Sequence, residues 1–295
     1  MATIDDWLEG ARLRTLPAAA APVLIGVGGA VSLAAFSPLR SILALLVALL
    51  LQIGVNFSND YSDGVRGTDD WRTGPPRLTG GGVVSPRTVL MAALACFALA
   101  GALGLILVAL SGQWFLLIFG ALAVAAAWFY TGGSNPYGYL GVGFSELFVF
   151  VFFGLMATVA TTWVQIPVAP WWLWTAASGV GLLSVALLFV NNIRDIPTDE
   201  VAGKRTLPVR MGDRYARLSY QLLVFIGLGF GVVSLTALPQ IVYLTVAIAF
   251  LFAFIFVTRP VRQGAAGRDL LAVLRNTGFL TLAYGIVLAV GLALS

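Results

Sequence analysis

The stretch Ser41-Ile42-Leu43-Ala44-Leu45-Leu46-Val47-Ala48-Leu49-Leu50-Leu51-Gln52-Ile53-Gly54-Val55-Asn56-Phe57-Ser58-Asn59-Asp60-Tyr61-Ser62-Asp63 decides the fold. Residues 41–59 carry no charge, and their length approaches the about 20 residues a helix needs to cross a hydrocarbon core. The run then turns polar without losing helical spacing. Gln52, Asn56, Asp60 and Asp63 follow one another at intervals of four, four and three residues, a single stripe on a helix. Carboxylates at the edge of a bilayer are costly unless they face a cavity and meet cations. The stretch therefore reads as a membrane helix that delivers acids to a site at its end.

Eight more segments resemble its apolar part: roughly 16–34, 88–110, 114–130, 143–161, 172–192, 218–237, 240–258 and 270–293. The expected architecture is all-α and polytopic, with about nine transmembrane helices around a central cavity open to the cytoplasmic face. Composition agrees, since 59% of the 295 residues are hydrophobic and only 10% charged, against about 25% charged in soluble domains. The start of the chain, with Asp5, Asp6 and Glu9 before the first apolar run, does not read as a removable signal peptide. With no histidine and one cysteine, Cys96, a histidine relay, a catalytic triad, a thiolate zinc site and an intrachain disulfide are all excluded. The net charge of +4 is too diluted for nucleic-acid binding.

Charge placement orients the chain. With nine spans, sixteen of the seventeen basic residues fall on the side of the N-terminus, and Arg40 alone on the other. By the positive-inside rule the first side is cytoplasmic and the C-terminus lies outside, as in a multi-pass cell-membrane protein. The aromatic run Trp163 to Trp174 then reads as an interfacial belt at the outer face.

Seven of the thirteen acids lie in two cytoplasmic clusters, and the clusters repeat. Asn56 and Asp60 align with Asn191 and Asp195 at one offset of 135 residues. We read residues 1–295 as one membrane-embedded domain with two internally related halves, marked by motifs at 56–69 and 191–207. In the second motif Asn191, Asp195 and Asp199 share a helix face. Two acidic stripes facing each other repel unless a cation sits between them. Carboxylate and amide oxygens are hard ligands, which points to Mg2+. Magnesium commonly completes its shell with substrate phosphates, and Arg72, Arg77, Arg194, Lys204 and Arg205 nearby suit a diphosphate. The rest of that ligand is expected to lie in the bilayer.

These motifs carry a family resemblance. Asn56 to Asp63, continuing to Gly67-Thr68-Asp69, resembles the first aspartate-rich motif of the UbiA superfamily of intramembrane prenyltransferases. Asn191 to Asp199, followed by Gly203-Lys204-Arg205-Thr206-Leu207, resembles the second. Ala11 to Pro17, Arg72-x-Gly74-Pro75-x-Arg77, and Tyr130-Thr131-Gly132-Gly133 with Pro136 to Glu146 are similar to the branch acting on 1,4-dihydroxy-2-naphthoate in menaquinone biosynthesis. Asp69, six residues after Asp63, departs from the simpler family spacing and favours that branch.

The resemblance implies a magnesium-dependent transferase that uses polyprenyl diphosphate and dihydroxynaphthoate and releases carbon dioxide to give a demethylmenaquinone. Asp60, Asp63, Asp195 and Asp199 would be catalytic and, with Asp69, metal-binding. Asn56, Asn59, Arg14, Arg72, Arg77, Asn191, Arg194 and Lys204 would support the metal or the diphosphate, and Tyr130 and Glu146 would border the acceptor ring. Gly74-Pro75-Pro76 and Gly80-Gly81-Gly82 read as a bent cap over the site. A sibling prenyltransferase acting on 4-hydroxybenzoate or homogentisate, and a secondary transporter, are the rival readings. The transporter fits poorly, because the polar stripes end at one face and the middle of the membrane is nearly uncharged.

Overall fold

A computed structural model describes residues 2–68 and 77–295. The order is α1 (Ile4–Ala11), α2 (Leu16–Ser32), α3 (Pro38–Arg66), α4 (Pro86–Ser111), α5 (Leu116–Thr131), α6 (Phe144–Val149), α7 (Ala157–Trp163), α8 (Trp171–Val201), α9 (Leu207–Met211), α10 (Asp213–Ser234), α11 (Gln240–Arg262) and α12 (Leu270–Ala293). A π-helical segment, Phe150–Met156, joins α6 to α7 into one rod. Among the described residues there is no strand. Among the described residues, eight helical units are long and apolar enough to cross a membrane, one of them the composite rod from Phe144 to Trp163. The fourth apolar segment of the sequence is α5, a shorter helix of 16 residues.

Small residues let the helices meet backbone to backbone, as membrane helices do. A Cβ on Gly28 of α2 would lie 2.4 Å from the Ala289 carbonyl of α12. A Cβ on Gly154 in the π-helical segment would lie 2.5 Å from Gly181 Cα of α8. The main buried cluster joins α2, α8, α10, α11 and α12 through residues such as Ile25, Leu183, Val224, Val257 and Leu288. Long aliphatic and aromatic side chains elsewhere, including Ile118, Phe252 and Phe279, are exposed on the outside of the bundle, where a bilayer would cover them.

Two helices overrun their apolar segments. Helix α3 continues to Arg66 and α8 to Val201, so the stripes Asn56–Asp63 and Asn191–Asp199 form the last turns of unbroken helices. Gly67, at φ 73, ends α3 in the left-handed region, and its N–H and that of Thr68 return to carbonyls of the last turn. The loop from Arg77 to Ser85 then runs back over α3, and Leu78 is buried with Ala11, Phe57, Val89 and Ala93.

Candidate active site

The ends of α3 and α8 face each other across a polar chamber of about 50 Å³. Asn59, Asp63, Asn191, Asn192, Asp195, Asp199 and Lys204 line it, and Arg12, Arg77, Tyr130 and Thr131 close it. Beneath lies a much larger apolar cavity of about 890 Å³, walled by α2, α3, α4, α5, the Phe144–Trp163 rod and α8. Arg12, Asn59, Arg77, Tyr130 and Asn191 line both spaces. These residues mark where a charged head group would meet an apolar tail.

The first stripe divides. A helix turns by about 100° per residue, so Asn59 and Asp63 form one row and Asn56 and Asp60 the row beside it. Only the first row enters the chamber. The expectation that Asp60 faces the second motif with Asp63 is corrected here. Fully buried Asp60 accepts the backbone N–H groups of Leu78 (3.0 Å) and Thr79 (2.8 Å), which pins the described part of the cap loop onto α3. Asn56 donates to the Ala11 carbonyl (2.9 Å) and to Thr15 Oγ1 (3.1 Å). Gln52 donates to the same Thr15 hydroxyl at 3.0 Å. Gln52 and Asn56 thus fasten the N-terminal segment, and Asp60 the loop.

The chamber row, Asn59 and Asp63, is held from α5 and from the loop after it. Thr131 Oγ1 donates to Asn59 Oδ1 (2.8 Å), and Tyr139 Oη donates to Asp63 Oδ1 (2.5 Å). Arg66, one turn on, caps the end of α5 by donating to the carbonyls of Thr131 (2.6 Å) and Gly133. In the second motif Arg194 forms a two-pronged ion pair with Asp195, at 2.7 and 2.6 Å, and donates to Asn191 Oδ1 at 3.0 Å. Asn191, Asp195 and Asp199 all line the chamber, as their shared helix face requires. Burial pulls the Lys204 ammonium toward neutrality, but Asp63, Asp199, the Tyr139 phenol and Asp195 outweigh it and raise its pKa above the ordinary lysine value. It is a fixed positive charge among the acids.

The remaining sequence candidates scatter. Arg14 borders the apolar cavity and pairs with Glu9. Arg77 borders both spaces, whereas Arg194 borders only the apolar one. Tyr130 stands at the junction, but Glu146 lines neither space, and among the described residues its buried Oε2 has no hydrogen-bond partner. Asp69 and Arg72 lie outside the described residues. Sequence reasoning missed Arg12, Thr131 and Tyr139 as site residues. Arg12 enters the chamber because the chain turns left-handed there, at φ 53, after α1. That conformation is costly for a non-glycine residue.

The chamber's candidate ligands, the carboxylates of Asp63, Asp195 and Asp199 and the amides of Asn59 and Asn191, offer oxygen, a hard donor type suited to magnesium. Among the described residues, no three carboxylates converge on one point. The oxygen donors fit magnesium, whose remaining positions phosphate oxygens commonly complete.

Comparison with known proteins matches this architecture. The model of the UbiA prenyltransferase family matches residues 16–282. The 1,4-dihydroxy-2-naphthoate octaprenyltransferase of Mycobacterium tuberculosis is 46% identical over 99% of this chain and 98% of its own. The Escherichia coli protein of the same name is 39% identical over 74% of this chain and 72% of its own. A UbiA homolog from Archaeoglobus fulgidus, solved bound to GPP and Mg2+, superposes with a TM-score of 0.69 at 18% identity, covering 97% of this chain and 99% of that one. The paired acidic helix ends, the apolar cavity beneath them and a family match running from α2 into α12 agree: the chain belongs to the UbiA prenyltransferase family.

Proposed function

We propose that this protein transfers a polyprenyl group from polyprenyl diphosphate to 1,4-dihydroxy-2-naphthoate with loss of carbon dioxide, giving the quinol form of a demethylmenaquinone. The observation that carries the reading is the junction of a small polar chamber with a large apolar cavity at Arg12, Asn59, Arg77, Tyr130 and Asn191. A polyprenyl diphosphate is polar at one end and apolar along the rest, and its reactive allylic carbon is the atom between. The names of the full-length and partial relatives support the choice of acceptor.

Asp63 with Asn59 at the end of α3, and Asp195 and Asp199 with Asn191 at the end of α8, would be the two ligand groups for magnesium. When bound, the ion neutralises charge that builds on the leaving diphosphate. Lys204, Arg12 and Arg77 add fixed positive charge beside it. The allylic C–O bond breaks with its electron pair going to the diphosphate. The electron-rich ring carbon forms the new C–C bond, and its carboxylate leaves as carbon dioxide. The apolar walls position the chain and keep water from the cationic carbon. The charge bias supports a cytoplasmic chamber and N-terminus with the C-terminus outside. The matched ends of α3 and α8 support an origin of the two halves as related copies.

The test uses membranes containing the protein, Mg2+, a labelled polyprenyl diphosphate and a panel of aromatic acids. Dihydroxynaphthoate should be prenylated with release of carbon dioxide, 4-hydroxybenzoate should react poorly, and a chelator should stop turnover until Mg2+ is restored. Equal use of both acids, or use of 4-hydroxybenzoate alone, overturns the acceptor. Full activity in excess chelator overturns the metal.

A further inference from the structure

Tyr139 lies in a single 3-10 turn, Tyr137–Tyr139, between α5 and α6, distant in sequence from both acidic motifs. Three of its parts nevertheless touch them. Its hydroxyl donates to Asp63 Oδ1 at 2.5 Å and lies 3.3 Å from Thr68 Oγ1. Its ring carries the Lys204 ammonium on one contact, 4.9 Å from the centroid, and the Arg66 guanidinium on another at 5.7 Å. Its carbonyl accepts the backbone N–H of Arg205 at 3.1 Å. The turn is also locked from behind, because a Cβ on Gly141 would lie 2.0 Å from the Arg205 carbonyl, at a φ of 61.

We propose that Tyr139 is the positioning residue that joins the two acidic motifs into one site: its hydroxyl aims the Asp63 carboxylate and its ring seats the Lys204 ammonium. This deepens the proposed function and rests on it, since it takes Asp63 as a metal ligand and Lys204 as a diphosphate contact. The physical reasons are separate for the two parts. A hydroxyl that donates into one carboxylate oxygen fixes the plane of the group and leaves the other oxygen for a metal, the usual work of a hydrogen-bonded neighbour of a ligand. An aromatic face holds an ammonium without neutralising it, so Lys204 stays available to an anion. Tyr139 touches both motifs at once, through the α5–α6 loop.

The two parts can be separated by substitution. Tyr139→Phe keeps the ring and removes the hydroxyl; Tyr139→Leu removes both. Two measurements follow on purified protein in detergent: Mn2+ binding by EPR in the presence of inorganic diphosphate, and steady-state rates over a grid of Mg2+ and donor concentrations. Tyr139→Phe should weaken Mn2+ binding and raise the half-saturating Mg2+ concentration by about 10-fold or more, with little change in donor KM at saturating metal. Tyr139→Leu should show the same metal defect and also raise donor KM, an effect that Phe rescues. Thermal unfolding of both variants controls for folding. Unchanged Mn2+ binding in a folded Tyr139→Phe protein overturns the hydroxyl's role. Equal donor KM in the Phe and Leu proteins overturns the ring's role. If the unsubstituted protein neither binds Mn2+ nor responds to Mg2+, the underlying reading fails together with this one, whereas a normal metal response in the unsubstituted protein and in Tyr139→Phe alike removes only this proposal.

Discussion

Two neighbouring carboxylates of α3 do different work, and their substitution should separate stability from turnover. Asp60 is fully buried and gives both oxygens to loop N–H groups; Asp63 faces the chamber. Asp60→Ala would leave the N–H groups of Leu78 and Thr79 without acceptors, at roughly 1–3 kcal/mol each. It should lower the unfolding temperature clearly, and Asp60→Asn, which keeps one acceptor oxygen, should lower it less. Asp63→Ala should cost at least ~100-fold in rate with a much smaller change in unfolding temperature. Differential scanning fluorimetry in detergent, paired with the transferase assay, checks both; the reverse pattern would reassign the two residues. Helical spacing puts all of Gln52, Asn56, Asp60 and Asp63 on neighbouring faces, but it does not say which row turns inward. Both rows are polar amides and acids, so no hydrophobic contrast marks the buried one. In α8 the polar residues Asn191, Asp195 and Asp199 keep a single row, and all three line the chamber. Tyr139 had no local signal at all, because its partners lie 76 and 65 residues away.

At the scale of elements, apolar length located the spans, and only the helical spacing of the polar stripes carried α3 and α8 beyond them. Residues 41–59 and 172–192 are legible as spans because charge is absent, yet α3 and α8 run on to Arg66 and Val201. Tertiary hydrogen bonds from Leu78, Thr79, Thr131 and Tyr139 hold the polar turns of α3, and that support lies outside the segment's own composition. The π-helical turn between α6 and α7 is likewise silent in the sequence, and Gly154 within it packs closely on Gly181. Close approach also sets the next test. A Cβ on Gly179 of α8 would lie 1.8 Å from Tyr284 Oη of α12 and 2.6 Å from the Gly227 carbonyl of α10. Gly179→Ala should therefore push three helices apart and lower both folded yield and unfolding temperature. Tyr284→Phe removes the nearest atom but leaves the Gly227 carbonyl in place, so adding it to Gly179→Ala should recover only part of the loss. Full recovery, or a neutral Gly179→Ala, would show that the helices shift apart at little cost.

Across the whole molecule the two spaces divide the labour: charge gathers at one end, and apolar volume fills the bundle beneath it. The polar chamber of about 50 Å³ has room for little beyond a head group and an ion, while the apolar cavity of about 890 Å³ is lined by small residues of α4 and α5, among them Ala100, Gly104, Gly120 and Ala121. Those small residues make volume that a long tail would fill. A wall residue far from the junction should then control donor length without touching the chemistry. Gly104 suits the test, because a Cβ there would meet only Val47 Cγ2, at 4.0 Å. A larger side chain can be added without striking backbone. Gly104→Phe should slow turnover of an octaprenyl donor by about 10-fold or more, because its distal units lose their space. A geranyl donor, whose tail ends nearer the junction, should keep its rate within about 3-fold. Rates measured over a series of donors of increasing length, with the acceptor and Mg2+ held at saturation, would show the point at which the added ring is first felt. A uniform loss across all lengths would mean that the substitution disturbs the junction itself. No loss at any length would mean that the tail leaves the cavity for the bilayer before it reaches α4.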